Sequence, residues 1–325
     1  MLLSLGHADK ILFDGANSTL YYYEDSEFDK PIIVKVLKED YPSSLQIVQF
    51  NNEFEFVKGL ETEGVRKIYK KAKIENKNAL VLEYFEGVTL RKAFSDKQWN
   101  IRDFLNVAIA ISHTLTQIHA QYIIHKDINS NNILVDAEKK EIKIIDFGIS
   151  SRIDARIDHQ GNPDTLEGTL AYISPEQTGR MNRMVDQRSD LYSLGITFFE
   201  ILTGDLPFTG DDSIELVHSH LAQKPALVHK KNASVPPIIS EIIAKLLEKN
   251  AEDRYQSAFG LETDLKKCLN QLNKKLVIEP FVLAQDDFSG KFKISQKLYG
   301  REQEVRKLLE AFDRVSRGAV AMVLI

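Results

Sequence analysis

The sequence predicts an α+β fold in two lobes, a β-rich first part followed by an α-helical second part. Short β-branched and aromatic runs separated by polar turns fill residues 9–37 and return at 79–85, the pattern of half-buried strands. From residue 101 onward the apolar residues recur instead at helical spacing over long segments. Between those helical segments, residues 123–150 read I-I-H-K-D-I-N-S-N-N-I-L-V-D-A-E-K-K-E-I-K-I-I-D-F-G-I-S, with two β-type runs, 133–135 and 142–145, around a polar turn. This is a hairpin, and the rest of the chain is organised around it.

At 325 residues the chain can bury a large core and has room for one two-lobed domain plus further material. Hydrophobic residues make up 43% and charged residues 27%, an ordinary globular balance. A net charge of −5 gives no general bias toward nucleic acid or membrane surfaces. The single Cys268 excludes an intramolecular disulfide and fits a reducing compartment. The N-terminal M-L-L-S-L-G-H-A-D-K lacks the basic leader and long apolar stretch of a signal peptide. No run approaches the ~20 apolar residues of a membrane-spanning helix, so the expected location is cytoplasmic without membrane insertion. No internal repeat is visible.

In chain order, strands are expected at 10–13, 19–23 and 31–37, with a turn at Gly15-Ala16-Asn17. The third strand, I-I-V-K-V-L, carries Lys35 in an apolar run, where a lysine ordinarily faces solvent or an edge. A helix over 45–60 places Glu53, Phe54, Val57 and Leu60 at helical spacing, so Glu53 lies beside the buried stripe and needs a cationic partner. Glu55 is the alternative. Residues 79–85 form a buried strand that runs into a connector at Glu86-Gly87. Over 101–121, Phe104, Ala108, Ile111, Leu115 and Ile118 mark one face of a long helix with Asn100 as N-cap. His113 and His119 on it are structural or solvated. Asp190 heads a strongly apolar helix closed by Gly204, and helices follow at 214–221, 237–247 and 257–272. Arg180, Arg183 and Arg188 form a basic cluster, either a solvated face or a docking surface.

The hairpin gathers Asp127, Asn132 and Asp146 at one end of a small sheet. Hard oxygen ligands brought together in this way suit Mg²⁺, which completes its shell with phosphate and water. A further carboxylate beside a metal-bound phosphate orients a hydroxyl nucleophile, so the chemistry indicated is phosphoryl transfer. H-K-D-x-x-x-x-N followed by D-F-G resembles the catalytic and metal-binding loops of eukaryotic-type protein kinases, and the resemblance covers about residues 9–272, with an N-lobe over 9–85 and a C-lobe over 86–272.

The resemblance implies Asp127 as the residue that accepts or orients the substrate hydroxyl, with Asn132 and Asp146 holding Mg²⁺. Lys35, paired with Glu53, would position the ATP phosphates, Gly15 would belong to the glycine-rich loop, and Leu82 would be the gatekeeper. The backbone of Glu83, Tyr84 and Phe85 would contact adenine. His125 would pack on Phe147, Asp190 would anchor the catalytic loop, and Glu176 would pair with Arg254. G-T-L-A-Y-I-S-P-E resembles the end of an activation segment, with Gly168-Thr169 typical of Ser/Thr-directed kinases. Thr165 stands where an activating phosphate often lies, with Lys126 as a partner for it, or is an exposed loop hydroxyl.

The chain departs from the family pattern at named positions. Phe13 and Ser18 replace two of the three loop glycines. Lys126 replaces the usual Arg before the catalytic Asp and loses its bidentate fork, and Asn129 replaces a Lys that contacts the transferred phosphate.

Residues 273–298 read as a linker or wrapping tail, and L-Y-G-R-E-Q-E-V-R-K-L-L-E-A-F over 298–312 resembles the start of an AAA or STAND ATPase module without its Walker A loop. Such kinase modules resemble the N-terminal parts of large bacterial hybrids that continue into ATPase, GAF and histidine kinase modules. The expected function is thus an ATP- and Mg²⁺-dependent Ser/Thr protein kinase in signal transduction, acting on a protein substrate. A nucleotide-binding pseudokinase that regulates an attached ATPase or histidine kinase is the alternative. A small-molecule kinase of the same fold is a third reading, and no nucleic-acid partner is expected.

Overall fold

The computed structural model describes residues 7–288 apart from 25, 97–98, 137, 154–166, 182 and 211, together with Lys307. Thr165 and, Lys307 apart, the ATPase-like stretch 299–325 therefore lie outside the described residues. The chain divides into two units at 288/289, and both lobes belong to the first.

The first lobe is a five-stranded antiparallel sheet in the order β1-β2-β3-β5-β4, built from β1 (Lys10–Asp14), β2 (Ser18–Tyr23), β3 (Ile32–Leu37), β4 (Ile68–Ile74) and β5 (Lys77–Glu83). β3 and β5 are its central strands, and both of their faces are covered, which explains their nearly continuous apolar sequences. Ile32, Val34, Val36, Ala79 and Val81 fill one face, while Ile33, Leu37, Leu80 and Leu82 fill the other against Phe50. Phe50 belongs to α1 (Ser44–Val57), which starts at a capping box in which Ser43 and Gln46 bond each other's backbone amides.

β6 (Val88–Thr89) and α2 (Leu90–Asp96) lead into the second lobe, whose first long helix, α3 (Ile101–Ala120), buries Phe104, Leu105, Ala108, Ile111, Leu115 and Ile118. The capping box at Asn100 and Asp103 fixes its start. β7 (Ile123–Ile124) then pairs with β10 (Ser151–Arg152), and between them β8 (Ile133–Asp136) and β9 (Glu141–Ile144) form the expected hairpin, which also pairs with β6.

The helix α4 (Gln187–Thr203) is buried nearly all round, as its apolar sequence requires. It begins three residues before the expected Asp190 because Asp186, not Asp190, is the N-cap and accepts the Arg188 amide. Asp190 is thereby free for another task. Against α4 pack α6 (Val228–Lys231) and α7 (Pro237–Leu246), α5 (Ser213–Ala222) meets it through His220 on Tyr192, and α8 (Ala258–Lys275) packs on α3. Residues 273–275, expected as the start of a linker, continue α8 instead, and Ile278 beyond it is buried against the core. No helix among the described residues is long and apolar enough to cross a membrane.

Candidate active site

Strand periodicity determines where Lys35 points. It shares a face of β3 with Ile33 and Leu37, the face that α1 covers. Directly above it α1 presents Glu53, which is 3% exposed, and Lys35 Nζ donates to Glu53 Oε2 at 2.6 Å. Glu55 points the other way and pairs with Lys71 at 3.0 Å. Asp146 Oδ1 lies 3.8 Å from the same ammonium. Burial opposes the charge on Lys35, yet Glu53 and Asp146 more than restore it and raise its pKa. The same ammonium is the main cause that holds the Asp146 carboxyl below the usual carboxylate range.

Arg66, unremarked in the sequence, stands behind this cluster. It is 6% exposed, and its backbone amide donates to Ile144 of β9. Burial lowers its pKa, against the attraction of Glu53 and Asp146. The half-buried Lys35 and the buried Arg66 thus both lie in the field of buried Glu53 and half-exposed Asp146, an arrangement that costs stability if one of these charges is removed.

The loop over residues 125–132 hangs from Asp190. Its carboxylate accepts the amides of His125 at 2.9 Å and Lys126 at 2.8 Å, and it meets His119 Nε2 at 2.8 Å. Lys126 takes a left-handed backbone with φ of 68°, a strained state for a long side chain that persists only when both neighbouring peptides are held. Gln177 Nε2 supplies the second hold by donating to the Lys126 carbonyl at 2.9 Å. His125 is fully buried; its Nδ1 accepts the Asp127 amide at 3.2 Å and its Nε2 donates to the Ile145 carbonyl at 3.1 Å. Its ring packs edge-on against Phe147 with centroids 4.6 Å apart. Both ring nitrogens are committed to backbone, so His125 is a strut between the two loops.

Asp127 is gripped on both oxygens. Oδ1 accepts the Thr169 amide at 2.8 Å, and Oδ2 accepts Asn132 Nδ2 at 2.8 Å. Burial pushes the Asp127 carboxyl up, against the lowering effect of the Thr169 bonds. Asn132 Nδ2 also donates to the Asp127 carbonyl at 2.9 Å, which commits both amide hydrogens and leaves its Oδ1 as a hard-oxygen ligand. Asn132 and Asp146 are neighbours because the Ile145 amide donates to the Asn132 carbonyl at 2.9 Å. Asp146 itself adopts φ of 66°, and its side chain remains 47% exposed. A half-exposed carboxylate with a pKa below the usual range, beside a free amide oxygen, is a donor set that fits a hard divalent cation.

Asn129, which stands where the family pattern has a phosphate-contacting lysine, is turned into the loop. It is 2% exposed; its Nδ2 donates to the Asp127 carbonyl and to Thr169 Oγ1, and its Oδ1 accepts the amides of Asn131 and Asn132. The side chain staples the loop to Thr169. Gly168, just before it, has φ of 100°, and a Cβ there would press on the Lys126 carbonyl at 3.2 Å. Only glycine brings Thr169 to Asp127 without that strain.

The segment beyond is fastened from below. Glu176 and Arg254 form a two-pronged buried pair, at 2.7 and 2.9 Å, and Ser189 Oγ adds a bond of 2.7 Å to Glu176. Burial alone would raise the Glu176 pKa, but the guanidinium and these bonds hold it below its ordinary value. Glu200, another residue the sequence reading passed over, is 5% exposed and accepts both Ser130 Oγ and Tyr172 Oη at 2.6 Å. It ties the 125–132 loop to the segment. A carboxylate inside the apolar run T-F-F-E-I-L was the available signal. Arg183 and Arg188 do not form a solvated face, since they pair with Glu252 and Asp186.

At the other end of the cleft the turn at Gly15 is closed by its amide donating to the Ser18 carbonyl at 3.0 Å, and Phe13 is 60% exposed beside it. No hydrogen bond or ion pair among the described residues joins this turn to the Lys35–Asp146 cluster. Leu82 is fully buried at the back of the lobe. Of the connector groups, the Glu83 amide is already bonded to the Lys67 carbonyl at 2.9 Å, and the Phe85 carbonyl accepts the Gly87 amide at 3.0 Å.

Comparison with known proteins agrees with this architecture. A family described as "Protein kinase domain" matches residues 7–266. Hybrid signal transduction histidine kinase G of Dictyostelium discoideum is 33% identical over 313 residues, spanning 70% of this chain and 9% of its own length. Serine/threonine-protein kinase PrkC of Bacillus subtilis is 29% identical over 270 residues, 82% of this chain and 41% of its own length. Serine/threonine-protein kinase PknB of Mycolicibacterium smegmatis is 30% identical over 262 residues, 79% and 41% respectively. The chain thus spans well under half the length of these relatives.

Proposed function

Because the chain belongs to the protein kinase domain family, we propose that it transfers the γ-phosphate of ATP to Ser or Thr hydroxyls of a protein substrate in signal transduction. The observation that carries this reading is the convergence of the Lys35–Glu53 pair, Asp146 at 3.8 Å from Lys35, and Asp127 bonded to Asn132 at 2.8 Å. Lys35, kept charged by Glu53, would hold the ATP phosphates. Asp146 and the free Oδ1 of Asn132 would hold Mg²⁺, which when bound neutralises phosphate charge. Asp127 keeps a fixed orientation through Thr169 and Asn132, and would orient the substrate hydroxyl and accept its proton. The backbone of Tyr84 and Phe85, with the Glu83 carbonyl, would read adenine, and Gly15 would lie over the phosphates. Thr169, held against Asp127, makes the acceptor platform part of the same unit.

The test is transfer of radiolabelled phosphate from Mg-ATP to the chain itself or to a generic protein, wild type against Asp127→Asn. Loss of the catalytic carboxylate should lower the rate by about 10²- to 10⁴-fold. Equal incorporation by both, or none by either while ATP still shifts the melting temperature, would leave the pseudokinase reading, which Phe13 and Ser18 in the glycine turn favour.

Several finer readings belong to the same proposal. The part of the kinase domain that resembles the family spans 9–272, with its lobes meeting at 85/86, and 299–325 begin an ATPase-like module to which it is attached. The setting is cytoplasmic, which the single, buried, free Cys268 supports. Thr165 carries an activating phosphate opposite Lys126, whose ammonium already faces the acid Glu167 at 3.7 Å. Mass spectrometry after incubation with Mg-ATP decides this last point: an active preparation without phosphate on Thr165 removes it.

A further inference from the structure

Past the residues that match the family, the chain turns back along α8. Leu276 ends α8 with a left-handed backbone, φ of 60°. Ile278 is then buried, and Phe281, Leu283 and Ala284 pack on the C-lobe core. Polar anchors fix the path. Asp264, 1% exposed, accepts the Ala284 amide at 2.7 Å while it also accepts Tyr255 Oη at 2.8 Å, and Lys267 reaches Asp286 at 2.9 Å.

The final anchor is Asp287. Its Oδ2 accepts the Gln256 amide at 2.5 Å, and its Oδ1 accepts Ser257 Oγ at 2.6 Å. Ser257 is the N-cap of α8 and in turn accepts the Gly260 amide at 3.0 Å. Room for the aspartate is made by Gly260, where a Cβ would stand inside the van der Waals envelope of Asp287 Cβ, Cγ and Oδ1. A glycine in the first turn of a helix sacrifices helix propensity, and here the docked aspartate supplies the reason.

The turn that Asp287 grips is the one that carries Arg254. Arg254 holds Glu176 with two bonds and is itself held by the carbonyls of Glu248, Lys249 and Arg188. Gln256 completes the turn: the two hydrogens on Nε2 are shared among the carbonyls of Ala251, Glu252 and Arg254, and Oε1 accepts from Arg188 Nη1 at 2.9 Å. A continuous set of hydrogen bonds therefore runs from Asp287 through the 254–257 turn to the segment that contacts Asp127.

We propose that residues 276–288 are a strap belonging to the phosphotransfer module, and that Asp287 is a positioning residue that holds the 254–257 turn and, through Arg254 and Glu176, the segment 168–179. Whatever lifts the strap loosens the acceptor platform, so the chain that continues from residue 289 is joined at a point coupled to activity. The activity arm rests on the proposed kinase function.

The test compares wild type, Gly260→Ala and Asp287→Ala in the full chain by amide hydrogen exchange and by phosphotransfer. Gly260→Ala favours the helix on its own account and acts only by expelling Asp287, whereas Asp287→Ala removes the bonds without adding bulk. Both should speed exchange at 276–288 and at 170–179 and lower kcat by about 3- to 30-fold with KM for ATP unchanged. Unchanged exchange at 276–288 in Gly260→Ala overturns the latch. Faster exchange there, with 170–179 as in wild type, overturns the coupling. A wild type that transfers no phosphate defeats the kinase reading instead, and the exchange pattern still decides whether the strap holds the segment.

Discussion

In the proposed phosphotransfer Asp127 places the acid limb of the pH–rate profile. Accepting the hydroxyl proton requires its carboxylate to be ionised, and burial raises its pKa above the ordinary 3.8. Activity is therefore present above that raised pKa and lost as pH falls through it, so kcat/KM should decline at a higher pH than a solvent carboxylate would dictate. The Thr169 amide opposes the shift, and Gly168 is what allows that amide to approach. Gly168→Ala should move the limb further up in pH, besides reducing the rate. A limb that stays in place in Gly168→Ala would show that the Thr169 bond does not tune Asp127. At this scale the sequence was informative where periodicity speaks: a lysine in a central strand and a glutamate beside a helix stripe must face each other. It marked Asn129 as a departure without placing its side chain, and it was silent about Arg66. Whether a polar side chain points to solvent or into a loop depends on backbone turns, such as the φ of 68° at Lys126, that no local spacing encodes.

Among the elements, the segment 168–179 depends most on one buried contact. Glu176 is held below its ordinary 4.5 in the folded state. Its contribution to stability is thus fully present above 4.5 and is lost as pH falls through the lower folded value. Glu176→Gln should destabilise the protein by about 3 kcal/mol at neutral pH, since it leaves Arg254 buried without its counter-charge. Denaturant titrations across pH check the sign, because the gap between variant and wild type should narrow in acid. A gap independent of pH would assign the loss to packing. The elements legible in advance were those with strong period or caps: β3, α1, α3, the β8–β9 hairpin and the C-lobe helices. β4 was missed, since I-Y-K-K-A-K-I spreads lysines over a half-exposed edge strand, and its hairpin turn to β5 uses Glu75 and Asn76 at φ of 50° and 66° without a glycine. Those lysines are usable in a strand because Glu27 and Glu55 pair with Lys70 and Lys71. The start of α4 was misplaced for a related reason: Asp186 and Asp190 look alike in sequence, and only the fold gives one to the helix and the other to the catalytic loop.

For the molecule as a whole, the question is where the module ends. The helical period fades near residue 272, yet α8 continues to Lys275 and Ile278 is 7% exposed. Burying a side chain of that size contributes about 1.5–3 kcal/mol, and Phe281 and Leu283 cover further apolar surface on the C-lobe. A chain cut after 272 would leave that surface in water and deprive the Gln256 amide and Ser257 hydroxyl of Asp287. It should melt about 3–10 °C below a chain cut after 288, and it should bind an apolar dye that the longer chain does not. Thermal unfolding of chains ending at 272, 288 and 325 measures this directly, with the chain ending at 288 expected to keep the first transition of the full chain. Equal melting temperatures for the two shorter chains would place the boundary at the end of α8 and make the strap a passenger. A selective loss in the shorter one makes residues 276–288 as much a part of the kinase module as the hairpin that carries Asn132 and leads into Asp146.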